Sequence, residues 1–260
     1  MSFVKRKLFF KPLPFLSRSR ALLLRIFMLP NILLTRAYGL ENLSGGASAS
    51  IYVFNHNNSL EALMVPALLM YHLGGNTISF VIDWMYGKVP ILGSLMNMID
   101  PVYVYHKRSA LSWIEAIRPP APSADTIERC AEKLRAGRSI GIFPEGTRNR
   151  DPEALIRGRS GVGHIALQSG APVIPVGIDF ISRINRGKIP TLGRTIVRIG
   201  RPIIFRQQSE AYRSLMPSVS GWTRQNSVRN QIAAEVTHEI MLCLAELSGK
   251  RYCEPFPRNR

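Results

Sequence analysis

Asp125-Thr-Ile-Glu-Arg-Cys-Ala-Glu-Lys-Leu-Arg-Ala136-Gly137-Arg-Ser139-Ile-Gly-Ile-Phe143 is the stretch on which the fold class turns. Its first half puts Ile127, Ala131 and Leu134 on one helical face, and Gly137 supplies a stop. Its second half, Ser139 to Phe143, is a short apolar run of strand length. A helix feeding directly into a buried strand is the repeating unit of a parallel sheet. The same grammar recurs outward in both directions. Strand-like runs bounded by turn residues occur at Ile51-Phe54, Thr77-Ile82, Val102-Tyr105, Val173-Ile178 and Thr195-Phe205. Helical patterns cover Leu60 to Tyr71, Val162 to Gln168, and a last segment in which Val228, Ile232, Val236, Ile240 and Leu244 recur at every fourth residue. Ser227 is placed to cap that segment and Gly249 to end it. The expectation is an α/β fold, a mostly parallel sheet flanked by helices.

The chain has 260 residues, and 46% of them are hydrophobic. Disordered chains and polytopic membrane proteins are excluded by that balance. The longest uncharged stretch, Ala62 to Ile82, is interrupted by Pro66, His72 and Gly74-Gly75, so it is read as helix, turn and strand instead of a membrane span. Three cysteines without a CxxC pair point to a reducing compartment. Arg118-Pro-Pro-Ala-Pro122-Ser123 is a loop and the expected insertion.

Lys and Arg number 34 against 17 Asp and Glu, a net charge of +17. Such a surface attracts polyanions: nucleic acid, anionic headgroups or phosphate-bearing substrates. No helix-turn-helix, zinc finger or aromatic RNA-binding strand accompanies the charge, so no nucleic-acid partner is expected. At the N-terminus Lys5, Arg6, Lys7, Lys11, Arg18, Arg20 and Arg25 alternate with Phe9, Phe10, Phe15, Leu22 to Leu24, Phe27 and Met28. This pattern suits a basic amphipathic segment in the plane of an anionic membrane, and equally a helix covering the domain's own core. Residues 1–38 are therefore expected to be an interfacial segment and 39–260 the α/β domain.

Two stretches carry chemistry. In Asn55-His56-Asn57-Asn58-Ser59-Leu60-Glu61, a strand delivers a histidine at its carboxyl end, where α/β folds hold ligands. Histidine has the proton affinity of a general base, and a carboxylate on its other nitrogen would fix the tautomer. Glu61 can reach His56 if the histidine precedes a helix and Glu61 stands in its first turn. Asn58-x-x-Glu61 also fits a capping box. In Phe143-Pro144-Glu145-Gly146-Thr147-Arg148, Gly146 permits close backbone approach, Thr147 offers a hydroxyl and Arg148 a planar fork suited to phosphate. Arg150, Arg157 and Arg159 follow, then Ser160-Gly161-Val162-Gly163 opens a helix. Read as ordinary surface chemistry, Glu145 and Arg148 form an ion pair. No metal-ligand spacing, nucleotide phosphate loop, GxSxG elbow or dinucleotide fingerprint is present.

Taken together and in this order, the Asn-His-x4-acid after a strand, Phe-Pro-Glu-Gly-Thr-Arg, and Ala171-Pro-Val-Ile-Pro-Val-Gly177 resemble the glycerolipid acyltransferase family, whose best-known members are the lysophosphatidic acid acyltransferases. Lys88-Val-Pro-Ile-Leu-Gly93 and Ile199-Gly-Arg-Pro-Ile203 add to the resemblance, which covers Ile51 to Phe205. It implies acyl transfer from a thioester to a lipid hydroxyl without metal or bound cofactor, acyl-CoA or acyl carrier protein being the co-substrate. His56 would be the general base and Glu61 would orient it, in place of the family's aspartate. Glu145, Gly146, Thr147 and Arg148 would line the acceptor site, with Arg148 gripping its phosphate. The family's further basic residue falls in His106-Lys107-Arg108, and Arg108 is the choice made from sequence. The implied partners are a lysophospholipid such as 1-acylglycerol 3-phosphate, the acyl donor and an anionic membrane surface. The implied location is monotopic or peripheral, on the cytoplasmic face. Acylation of another lipid hydroxyl, and non-catalytic lipid binding, stay open as alternatives.

Overall fold

A computed structural model describes residues 11–43, 49–56, 61–90, 92–149, 151–182, 193–215 and 224–252. Helix α1 (Arg18–Leu34) leads into strand β1 (Thr35–Tyr38). Then come β2 (Ile51–Phe54), α2 (Glu61–His72), β3 (Ile78–Asp83), α3 (Leu92–Asn97) and β4 (Val102–Val104). The short α4 (Ser112–Ala116) precedes α5 (Thr126–Arg135), β5 (Ser139–Ile142) and α6 (Gly161–Ser169). Strands β6 (Val173–Ser182) and β7 (Gly193–Ile199) and helices α7 (Arg206–Ser214) and α8 (Arg224–Ser248) complete the order.

The strands form one seven-stranded sheet in the order β1-β7-β6-β2-β5-β3-β4. All neighbours are parallel except β6 and β7. The expectation of a mostly parallel sheet flanked by helices holds. Its physical basis shows at β2, which is buried at every position. Ile51 and Val53 join a core with Cys130, Leu134, Val162, Ile165, Val236 and Ile240, under α5, α6 and α8. Tyr52 and Phe54 join a second core with Leu24, Met28, Val65 and Leu69, under α1 and α2. A strand covered on both faces has no polar side to show, which is why these runs read as continuous apolar sequence.

The stretch 125–143 folds as read. Asp125 Oδ1 accepts the Thr126 N–H at 2.7 Å, and Gly137 adopts φ 79° at the helix stop. The Arg138 N–H then returns to the Lys133 carbonyl, so the last turn's acceptors are satisfied. Ala62 to Ile82 is helix, turn and strand as expected, and among the described residues no helix is long and apolar enough to cross a membrane.

Two expectations differ from the structure. Strand β7 ends at Ile199, six residues short of the expected Phe205: Gly200 still donates to Pro175 O at 2.8 Å, but Pro202 has no N–H to give, Ile203 recovers only a bridge to Val173, and α7 follows. Helix α8 begins before Ser227, so that residue does not cap it, and Val228 is exposed. Four residues carry a side chain about 40° past a full turn, so a strict four-residue repeat drifts off the buried face. Of the expected positions Val236, Ile240 and Leu244 are buried and Ile232 packs at the core's edge, and Ala233 and Met241 complete the buried face. Residues 13–38 pack on the domain through one face. Ala21, Leu24 and Met28 are core, and β1 pairs with β7. Asn31, buried in the helix turn that follows Pro30, donates to Met64 O at 2.9 Å and so ties α1 to α2.

Candidate active site

Strands β2 and β5 are parallel neighbours in register Ile51↔Ile140 and Val53↔Ile142. Their carboxyl ends therefore release both chemistry-bearing stretches side by side. Asn55, fully buried, fixes the end of β2 to β6: its Nδ2 donates to Ile178 O at 2.8 Å and its Oδ1 accepts the Ile178 N–H at 2.6 Å. The next residue, His56, is held by its backbone from the β5 side. Its N–H donates to Glu145 Oε1 at 2.9 Å, and its carbonyl accepts the Asn149 N–H at 2.8 Å. Its ring lies against Phe143 with centroids 4.7 Å apart.

Glu145 is placed differently from the expectation. It is buried and does not line the cavity beside His56. One carboxylate oxygen takes the His56 N–H, and the other accepts the Ile156 N–H at 3.1 Å. Burial pushes its pKa above the ordinary carboxylate value, against which these two backbone donors, Asn149 and the Lys250 charge act. The acid of the Phe-Pro-Glu-Gly-Thr-Arg stretch thus joins three chain segments, because an acceptor-only group buried beside two unsatisfied N–H groups satisfies both.

The cations lie on the outer side of the same turn. Gly146, Thr147 and Arg148 all line the cavity with His56. Gly146 has φ 63°, and a Cβ there would stand 2.6 Å from Arg159 Nε, so glycine is what lets Arg159 lie over the turn. Lys107 approaches from β4: its Nζ donates to Gly146 O and Asp83 Oδ2, both at 3.0 Å. Trp84 Nε1 donates to the Lys107 carbonyl at 3.0 Å and so fixes the backbone there. Arg108, the residue chosen from sequence, is exposed and absent from the lining, whereas Lys107 and His106 are part of it. The basic triplet is legible as composition; that exposed Lys107 and His106 join the cavity wall while Arg108 does not is set by the chain's path, which the Trp84 contact, far away in sequence, helps to fix.

His56 feels this setting. Burial first, then the charges of Arg148 and Lys107, lower its pKa below the usual imidazole value, so the neutral, proton-accepting form prevails at neutrality. Nδ1 is buried and has no hydrogen-bond partner among the described residues. Glu61 is the first residue of α2, as the sequence reading required, while its side chain and residues 57–60 lie outside the described part.

The cavity has a volume of about 900 Å³. One part of its wall is polar and cationic: His56, Lys107, Thr147, Arg148 and Arg159. Most of the rest is apolar, with α1, α2, β3 and α3 contributing the long part that reaches Gly75 and Thr77 just before β3 begins, while Arg20, Asp83, Asp125 and Thr126 add polar groups elsewhere on the wall. His56 sits at the carboxyl end of β2 and Thr77 at the amino end of β3, so the apolar part spans the height of the sheet, roughly 20 Å at a strand's rise per residue. An imidazole at a cationic mouth and a long apolar channel behind it suit an amphiphile with an anionic head. No group of His, Cys, Asp and Glu among the described residues is clustered as metal ligands would be.

Sequence reasoning missed three contributors. Asn149, adjoining the recognised stretch, holds His56 O with its N–H and Ala154 O with its side chain at 2.6 Å. Lys107 lines the cavity where its neighbour Arg108 does not. Helix α1 lines the cavity with Leu23, Leu24 and Phe27.

A family model described as Acyltransferase matches residues 35–179. The chloroplastic 1-acyl-sn-glycerol-3-phosphate acyltransferase BAT2 of Brassica napus is 30% identical over 159 residues, 61% of this chain and 40% of its own length. The corresponding chloroplastic enzyme LPAT1 of Arabidopsis thaliana is 30% identical over 155 residues, 60% of this chain and 37% of its own. The chain thus spans about two fifths of the length of these relatives. The crystal structure of the 1-acyl-sn-glycerophosphate (LPA) acyltransferase PlsC from Thermotoga maritima aligns over 97% of this chain and 91% of that one, with 18% identity and a TM-score of 0.49.

Proposed function

The chain belongs to the acyltransferase family, and from that premise we propose that it moves a fatty acyl group from an acyl thioester to the free hydroxyl of a lysophospholipid, 1-acyl-sn-glycerol 3-phosphate becoming phosphatidic acid. The observation that carries this reading is the junction at His56, where a neutral imidazole stands between the cationic turn and the long apolar channel. The relatives' names supply the acceptor class; the cations supply the reason a phosphate would stay.

His56 removes the acceptor's hydroxyl proton as its oxygen attacks the thioester carbonyl. A C–O bond forms, the C–S bond then breaks, and the imidazolium returns the proton to the departing thiolate. Glu61, in the first turn of α2, is the carboxylate assigned to the unpartnered Nδ1, where it holds the tautomer and stabilises the imidazolium. Base assistance of this kind contributes about 10²–10⁴-fold, and fixing both lipids in line contributes further. Arg148 and Lys107 hold the acceptor's phosphate, Arg148 through its planar fork. Glu145 acts through the backbone of His56. No bound cofactor takes part; acyl-CoA and acyl carrier protein both present the same phosphopantetheine thioester.

Attachment to the cytoplasmic face of an anionic membrane fits α1. One of its faces is core, while Leu22, Ile26, Leu29 and Leu33 form an exposed stripe at helical spacing with Arg18, Arg20 and Arg25 beside it. A donor-by-acceptor matrix on purified full-length protein, with His56→Ala as the blank, tests the reading. Turnover of lysophosphatidate above that blank supports it. Failure with every lysophospholipid and either donor sinks it.

A further inference from the structure

The segment from Tyr105 to Ala124, between β4 and α5, adds no strand to the sheet. It is nevertheless firmly built. Ile114 of α4 is 1% exposed. Glu115 accepts the Ser109 N–H at 2.7 Å and the Arg118 guanidinium at 3.0 Å. Arg118 also donates to the Tyr105 carbonyl and lies over the Trp84 ring at 5.5 Å. So many anchors usually serve to bury apolar groups. Here the same anchors present them: Leu111 is 50% exposed, Trp113 50% and Ile117 53%.

The surroundings indicate what covers them. Glu115 is the one acid between residues 105 and 124, and it is paired. Lys107 and the exposed Arg108 adjoin, so the patch is apolar with a cationic border. Helix α4 packs against residues 84–88, among them the half-exposed Tyr86, which lines the cavity. Arg20, Leu23 and Phe27 of α1 line the same cavity. Helix α1 also carries the exposed Leu22, Ile26, Leu29 and Leu33, so two independent elements near the cavity present apolar side chains outward. Three side chains fall well short of the roughly 800 Å² that each partner buries in a stable protein interface. Tryptophan with aliphatic neighbours and flanking cations matches the boundary between headgroups and acyl chains.

We propose that the α4 loop is a second membrane contact, seating Leu111, Trp113 and Ile117 in the headgroup boundary of an anionic bilayer beside the cavity mouth. Its purpose rests on the lipid-acceptor reading: contacts at both α1 and α4 would hold the mouth against the bilayer. Its test does not rest on that reading, because it measures contact alone.

Full-length protein carrying Trp222→Phe retains Trp84, which is 2% exposed, and Trp113. Vesicles of phosphatidylglycerol and phosphatidylcholine with brominated acyl chains should quench Trp113 and shift its emission to the blue. That response should vanish in Trp113→Phe. Leu111→Ser with Ile117→Ser should weaken vesicle partition about tenfold and leave turnover of a short-chain soluble acceptor unchanged. Protein that binds vesicles while Trp113 stays unquenched and open to aqueous acrylamide overturns the proposal. So does an absence of vesicle binding, or shielding of Trp113 by acyl carrier protein without vesicles. Quenching without turnover of any acceptor upholds the membrane contact and counts against the acyltransferase reading instead.

Discussion

The loops after β5 and β4 leave the same edge of the sheet and use their polar groups in opposite ways. After β5, Glu145 and Asn149 are buried, and both are spent on the backbone around His56. After β4, Glu115 and Arg118 are half-buried and hold up a short helix whose large apolar side chains face outward. In the first loop the framework fixes the backbone of a histidine at the cavity; in the second it fixes a surface. The lesson is that a buried acid next to a histidine need not be its catalytic partner. Glu145 touches the main chain of His56 while its imidazole Nδ1 stays unpartnered among the described residues.

Substitutions can break or sharpen that contrast. The largest effect is expected for His56→Ala, with a loss of about 10³-fold or more in kcat/KM and little change in Tm, since the ring stands at a cavity mouth. Activity within tenfold of wild type in folded protein would remove the general base from the mechanism. Glu61→Gln comes next, at about 10²-fold, because Gln keeps a cap but not the charge that stabilises an imidazolium. Glu61→Asp should keep substantial activity, and a Gln variant as active as wild type would return Glu61 to the capping box.

Glu145→Ala tests the scaffold itself. Two buried N–H groups lose their acceptor, so stability should fall by about 2–5 kcal/mol, with activity lost through the displaced histidine. Glu145→Gln keeps one good acceptor and should fall between Ala and wild type in urea denaturation. A Glu145→Ala protein of unchanged stability would contradict the bridging role. The smallest effects separate Lys107 from Arg108. Positive charge beside His56 disfavours the imidazolium, so Lys107→Gln should raise the His56 pKa and move the acid limb of the kcat/KM profile to higher pH. It should also raise KM for the lysophospholipid. Arg108→Gln, at an exposed position outside the cavity, should leave the profile where it is. Equal shifts in both variants would mean that the triplet acts only as diffuse charge.

Much of this was legible beforehand. Helix α5, its Gly137 stop and β5 follow from residues that interact over one or two turns, so local sequence carries them. His56 and Arg148 stand out in the sequence because strand ends with short polar stretches mark ligand sites in α/β folds. The inward role of Lys107 does not, since adjacent lysine and arginine look alike until Trp84 fixes the backbone of one. The contribution of residues 13–38 to core and cavity was hidden for a related reason. A basic apolar helix reads the same whether its partner is a bilayer or its own domain, and α1 has an apolar face for each.

The sequence by itself determined the alternation of helix and strand, the double burial of the central strands, the two stretches that carry chemistry and the excess of positive charge. These depend on composition and on neighbours a few residues apart. Only the tertiary structure decided that Glu145 serves the backbone, that Lys107 faces the cavity, and that α1 walls a channel spanning the sheet. Each of those outcomes is set by contacts between groups distant in the chain: a carboxylate among the donors of two loops, an indole under a carbonyl, a helix on a helix. Side-chain identity limits which such contacts are possible, and the packing of the whole chain selects the ones that form.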